Sequence, residues 1–307
     1  MAKIICVHGI AQEQKSWDTL EEQWVKDLAG GVRTAGFADL ADNIRLERFQ
    51  GGLDIRMAYY GDLFLVPGQQ GLEPAEFTNA ESELARLLGQ EWLERAANRA
   101  PVPEDRKTAG QELRVLQEDA GEEQGIRTFA RTPLNALARL KWFAPFGMQV
   151  AEVFINRALK QVTQYFTDNA TREEVTKRVL DLLGPDTEIL IGHSLGSVVA
   201  FEVAHRLTRP LSLLLTLGSP LGLETIIYQR ILPQPPTYPL QVQRWVNVYD
   251  SDDLIAVETD LASKFLKHKP DQARLENIAI QNDAKPHDAS RYLSKKEVGQ
   301  LIAEALN

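Results

Sequence analysis

The residues best suited to chemistry lie in Gly192-His193-Ser194-Leu195-Gly196, which fits G-x-S-x-G. That spacing serves a serine on a turn so sharp that the residues two before and two after it press together, where only small residues fit. The turn leaves the hydroxyl at the carboxyl end of a strand. A serine hydroxyl is a poor nucleophile at neutral pH. It needs an imidazole to take its proton, and the imidazole needs a carboxylate to fix its tautomer. On such a strand–turn–helix elbow the partners follow in the order serine, acid, histidine, each on a loop after a strand. Of the chain's five histidines, only His205, His268 and His287 follow Ser194. His205 lies about three helical turns beyond the serine, out of reach. His268 sits in the basic run Lys264 to Lys269 with no strand before it. His287 falls between the last predicted strand and the last predicted helix, which makes it the candidate base. The acid is sought in Asp250-Ser251-Asp252-Asp253. Asp253 leads because the apolar Leu254-Ile255-Ala256-Val257 would bury it; Asp250 suits a structural turn bond, and Asp252 also qualifies by position.

An acyl-transfer centre also needs two preorganised amides for a developing oxyanion. The Leu195 amide, at a helix N-terminus, is one candidate. The other comes from the loop after the first strand, His8-Gly9-Ile10-Ala11, with Ile10 ahead of Ala11. His8 reads as a brace for that loop. Ser219, placed before Pro220 and without an elbow's flanks, reads as a structural turn. No His, Asp and Glu cluster has metal-ligand spacing, and no cofactor is expected.

The elements that must position these groups alternate. Strand patterns run over Lys3 to Val7, Ile44 to Phe49, Ile55 to Tyr60, Ile189 to Ile191, Leu211 to Leu217, Gln243 to Tyr249 and Leu275 to Gln281. Between them, Trp17 to Thr34 carries Leu20, Trp24, Leu28 and Val32 on one helical stripe, and the segment after Ser194 is helical and apolar. Glu173 to Leu183 and Lys295 to Leu306 are further helices. From about Val66 to Thr167 the character changes. After the loop Pro67 to Gly71 come charged helical segments, Glu81 to Ala100 and Gln111 to Glu123, separated by a predicted mobile loop over Pro101 to Lys107. A more apolar helical pair, Leu137 to Phe166, breaks near Pro145-Phe146-Gly147. Trp142, Phe143 and Phe146, with Phe154, are candidates to line an apolar substrate pocket or touch lipid; the plainer reading is that they pack helix on helix.

The bulk properties narrow the partners. The 307 residues are 44% hydrophobic and 25% charged, enough for a sizeable core. A net charge of -9 argues against nucleic acid or an anionic membrane as the main electrostatic partner. The single cysteine, Cys6, rules out an internal disulfide and suits a reducing compartment. Met1-Ala2-Lys3 runs straight into strand sequence, too short for a secretory signal, and no stretch approaches the roughly 18 apolar residues of a membrane span. A cytoplasmic location is expected.

Taken together, Val7-His8-Gly9 after the first strand, Gly192-His193-Ser194-Leu195-Gly196, Leu217-Gly218-Ser219-Pro220, Asn247-Val248-Tyr249 leading to Asp253, and the late His287 resemble the α/β-hydrolase superfamily, and within it the lipase-like serine esterases. The resemblance covers Met1 to Leu63 and Thr171 to Asn307. It implies an α/β fold with a mostly parallel central sheet of about six strands flanked by helices, trimmed at the N-terminus because the His-Gly strand opens the chain. Residues 1–65 and 168–307 would form that core; the resemblance does not cover the middle, where 66–167, a helical block between two sheet strands, reads as a cap inserted over the active-site edge. The implied activity is hydrolysis of a carboxylic ester with an apolar acyl group, a small molecule or a lipid, through an acyl-serine, with transient membrane contact through the cap. The same triad also serves amidases, peptidases and thioesterases, and the fold also hosts non-catalytic binding or signalling modules.

Overall fold

The computed structural model describes residues 2–46, 51–65, 76–119, 133–144, 148–256 and 260–307. They fall into two compact units, Met1–Asp62 with Glu173–Asn307, and Leu63–Arg172. The strands are β1 (Ile4–Val7), β2 (Ile55–Ala58), β3 (Ile189–His193), β4 (Leu211–Leu217), β5 (Val242–Asp250) and β6 (Arg274–Ile280). The helices are α1 (Trp17–Thr34), α2 (Ala38–Arg45), α3 (Asn79–Arg99), α4 (Pro103–Asp119), α5 (Met148–Thr167), α6 (Asn169–Leu180), α7 (Leu195–Ala204), α8 (Ala262–Phe265), α9 (Ala289–Leu293) and α10 (Lys296–Leu306).

The first unit is built on a six-stranded sheet in the order β2-β1-β3-β4-β5-β6. Every neighbouring pair is parallel, so this is an α/β fold. Parallel sheets need both faces covered, which is why β1, β3 and β4 are almost continuously apolar and buried. On one face Ile4, Cys6, Ile191 and Leu215 pack with the α1 stripe Leu20, Trp24, Leu28 and Val32 and with Val298 and Ile302 of α10. All of α7 is buried. Its Phe201 joins Trp245 of β5 and Phe265 of α8, with ring centroids 5.1–5.4 Å apart.

The strand order turns back at β1: the chain leaves β1 for β2 on one side and builds β3 to β6 on the other. Val7 of β1 pairs with Gly192 of β3, so the loops leaving these two strands start side by side. Open α/β sheets bind ligands at such a switch point, at the carboxyl ends of the strands.

Strand β2 is an edge, and α1 covers its outward peptide. Glu21 accepts the Met57 N–H at 2.8 Å and the Trp17 indole N–H donates to the Met57 carbonyl at 3.1 Å. Arg178 of α6 donates to the Tyr59 carbonyl at 3.2 Å and forms a two-pronged ion pair with Asp62. The last residues of the first segment are thereby tied to the start of the second.

The second unit is helical. Thr78 and Glu81 form a reciprocal cap at the start of α3, and Lys160 of α5 reaches both oxygens of the buried Glu81 carboxylate at 2.7 Å. Asp105, buried in the first turn of α4, accepts the backbone N–H groups of Lys141 and Trp142 at 2.8 and 2.9 Å. Among the described residues no helix is long and apolar enough to cross a membrane.

Two expected elements differ. Ile44 to Phe49, expected as a strand, begins inside α2; Ala41 and Ile44 are its buried positions, three apart, with Asp39 in its first turn and Arg45 in its last, which suits the helix dipole. Residues 47–50, like the expected loop at Pro67 to Gly71, lie outside the described residues. The predicted loop over Pro101 to Lys107 is mostly helix, because Pro103 opens α4, where its fixed φ and missing N–H cost nothing.

Candidate active site

Ser194 follows β3 directly and stands at φ 54° and ψ −127°, a conformation that a non-glycine residue adopts only under strain. The turn is fixed by its surroundings. The Ser194 N–H donates to the Leu217 carbonyl of β4 at 3.0 Å. A Cβ on Gly192 would come within 2.4 Å of the Gly196 carbonyl oxygen, and one on Gly196 within 2.2 Å of the Val7 carbonyl oxygen. The two glycines of G-x-S-x-G are therefore required by close approach. Beneath the turn, Ser197 Oγ lies 2.6 Å from the Ser194 carbonyl oxygen and 2.7 Å from Ser219 Oγ. A hydroxyl has one proton and the carbonyl can only accept, so Ser197 donates to Ser194 and Ser219 donates to Ser197. The Leu221 N–H donates in turn to Ser219 at 3.3 Å, so Ser219 does form a structural turn.

His287, in the loop after β6, lies with Nε2 3.0 Å from Ser194 Oγ and Nδ1 2.7 Å from Asp253 Oδ2. The carboxylate can only accept, so the proton sits on Nδ1 and the Nε2 lone pair faces the serine hydroxyl. The imidazole is 15% exposed and the Asp253 side chain 0%. Asp253 is saturated with donors. Its Oδ1 accepts the N–H groups of Ile255 and Ala256 at 3.0 and 3.2 Å, and its Oδ2 also accepts the Tyr292 hydroxyl at 2.9 Å.

Asp250 does not approach His287 by any hydrogen bond. It accepts the Asp252 N–H at 2.8 Å, the structural turn bond foreseen for it, and also the Asn282 N–H. Asn282 then donates its side-chain amide to the Pro286 carbonyl at 3.0 Å, so Asp250 ties the loop after β5 to the loop that carries His287. Burial raises the Asp250 carboxyl above its ordinary range against the bonds that hold it ionised.

The loop after β1 runs beside the serine. A Cβ on Gly9 would meet Ser194 Cβ at 2.6 Å, which puts the Gly9–Ile10 peptide next to the elbow. His8 holds this loop: its Nδ1–H donates to the Gly9 carbonyl at 2.7 Å, its Nε2 accepts the Tyr60 N–H at 3.0 Å, and its ring stacks on Tyr60 at 4.0 Å. Burial pushes the His8 imidazole down from 6.5 to about 4, which keeps it neutral and out of acid–base work. Leu195 is the first residue of α7, so its N–H lies outside the helix's own hydrogen-bond ladder and points from the positive end of the dipole.

Three further residues complete the site that sequence reasoning missed. His193 donates from Nε2 to the His287 carbonyl at 3.0 Å, with the two rings 4.8 Å apart; burial first, and then the neighbouring His287, hold it well below its ordinary range. Gly218 stands at φ 53°, where a Cβ would lie 3.0 Å from Asp253 Oδ2 and 3.3 Å from His287 Nδ1. Tyr292, on α9, bonds Asp253 and accepts the Asp250 N–H at 3.0 Å. The only signal for Tyr292 is that a buried tyrosine hydroxyl needs a partner. His193 occupies an unconstrained position of the motif.

Trp142 and Phe143 belong to the helical unit, and neither of the other late histidines is the partner of Ser194. His205, at the end of α7, bonds the Thr237 carbonyl at 3.1 Å, and His268 is exposed. Phe143 is 5% exposed and packs on Trp92, 5.9 Å between centroids, in the helical unit. Trp142 lies edge-on to Phe143 at 4.6 Å, and Phe146 lies outside the described residues. Among the described residues no three His, Cys, Asp or Glu side chains converge as metal ligands would. Comparison with protein-family models, curated proteins and solved structures finds no match to this chain.

Proposed function

We propose that the chain is a serine hydrolase of the α/β-hydrolase type that cleaves carboxylic esters of apolar acyl groups through an acyl-serine. One observation carries this reading: the hydrogen-bonded series Ser194 Oγ, His287 Nε2, His287 Nδ1 and Asp253 Oδ2, at 3.0 and 2.7 Å, on a strained elbow. Ser194 Oγ attacks the ester carbonyl carbon while His287 Nε2 takes its proton. The negative charge passes to the carbonyl oxygen, held by the Leu195 and Ile10 amides. The tetrahedral adduct collapses, the C–O bond to the alcohol breaks, and His287 returns the proton to the departing oxygen. Water then repeats the sequence on the acyl-serine, releasing the acid and restoring Ser194.

The apolar preference rests on Ile10 and Ile255, buried in the loops after β1 and β5, and on Leu195, buried at the start of α7. A cytoplasmic enzyme accords with Cys6, a free, buried thiol. The test is turnover of p-nitrophenyl esters of increasing acyl length, with Ser194→Ala beside the wild type. Loss of about 10⁶ in kcat and a length optimum are expected; full turnover by the alanine variant would exclude the reading. Matched amides and thioesters report the leaving-group class.

A further inference from the structure

Asp253 Oδ2 has two donors. His287 Nδ1–H reaches it at 2.7 Å and the Tyr292 hydroxyl at 2.9 Å. The tyrosine oxygen accepts the Asp250 N–H at 3.0 Å, which leaves its single proton directed to Asp253. Its ring is fully buried at the start of the C-terminal helices. Gly218 lies beside the same oxygen, where a Cβ would meet Oδ2 at 3.0 Å. Two donors on one oxygen fix where that oxygen lies and divide its negative charge between them.

We infer that Tyr292 is a positioning residue for the triad, aligning Asp253 and attenuating the charge it presents to His287. The inference rests on the proposed hydrolase reading for its kinetic consequence only; the hydrogen-bond pattern stands without it. Burial and the adjacent Asp253 carboxylate raise the phenol well above its ordinary range, so it remains a neutral donor throughout the working pH. The groups facing His287 are Asp253 after β5, and His193 and Ser194 at the end of β3, with Tyr292 of α9 bonded to the far side of Asp253 and Asp250 bonded in turn to the tyrosine. Asp288, next in the chain, caps α9, and Lys285 pairs with it at 4.0 Å.

Removing the hydroxyl leaves the full charge of Oδ2 for His287, which stabilises the imidazolium. Tyr292→Phe is therefore expected to lower kcat about 10- to 100-fold, the rate factor of one hydrogen bond to a charged group. KM stays unchanged and the acidic limb of kcat/KM moves to higher pH. 3-Fluorotyrosine at position 292, a stronger donor on the same ring, is expected to move that limb to lower pH. A purely structural hydroxyl would not produce opposite shifts. In either protein the His287 Nδ1–H proton, followed by low-field NMR, is expected downfield of wild type for Tyr292→Phe and upfield for the fluorinated chain. An unshifted proton and an unshifted pH limb in the folded variants overturn the inference. Absence of Ser194-dependent turnover in the wild type, with the NMR shifts present, overturns the hydrolase reading alone.

Discussion

Gly218 faces the acid–base pair with no side chain, at a φ of 53°. Alanine there would strain the backbone and press a methyl against both Asp253 and His287. Gly218→Ala is expected to lower kcat about 100-fold, the scale of a 1 Å misplacement, with little change in far-ultraviolet circular dichroism. Asp253→Asn tests a different property. An amide has one acceptor oxygen where the carboxylate has two, and four donors converge on Asp253. The group turned towards His287 becomes an NH2, which forces the wrong tautomer. A loss of about 10⁴ in kcat is expected, measured on the same ester series.

At the scale of elements, the sheet edge makes its own prediction. Glu21 and Trp17 occupy the hydrogen-bonding groups of Met57, which would otherwise invite another strand. Glu21→Ala is expected to cost about 1–2 kcal/mol in urea unfolding and to raise self-association in light scattering, while Glu21→Gln retains the acceptor and most of the stability. The strands and α1 were legible because their signals are local: short apolar runs, some of them ended by glycine, and a stripe at Leu20, Trp24, Leu28 and Val32. So was the placing of Ser194, Asp253 and His287 after β3, β5 and β6. Ile44 and Leu46 alternate like a strand, yet Ile44 is paired with Ala41 on a helix, and short apolar patterns fit both periods. The contacts of Tyr292, His193 and Gly218 with Asp253 and His287 were not legible, because they form only after separate strands come side by side.

For the whole molecule, buried neutral histidines set an acid limit. His8 is pushed by burial from 6.5 to about 4, the partly buried His205 likewise to about 4, and His193 is held well below its ordinary range. Below about pH 6.5 the unfolded chain binds protons that the folded chain refuses, so stability is complete above that pH and falls as pH drops toward 4. Between pH 6.5 and 5, before most carboxylates titrate, each fully buried histidine contributes a slope approaching about 1.4 kcal/mol per pH unit. His8→Gln is expected to flatten the urea-unfolding free energy against pH by about one such proton, at some cost in absolute stability. A slope unchanged by the substitution would mean that His8 protonates in the folded chain.

The clasp of Arg178 on Asp62 and on the Tyr59 carbonyl has a consequence for inheritance. Arg178 stands about 7 Å along α6 from Glu173, where the sheet-bearing unit resumes, so the point at which the chain departs that unit and the point at which it returns are neighbours. A guest segment seated between such neighbours can be lengthened, shortened or exchanged without re-registering a single strand. Drift within residues 63–172 therefore need not disturb the strands that carry Ser194, Asp253 and His287.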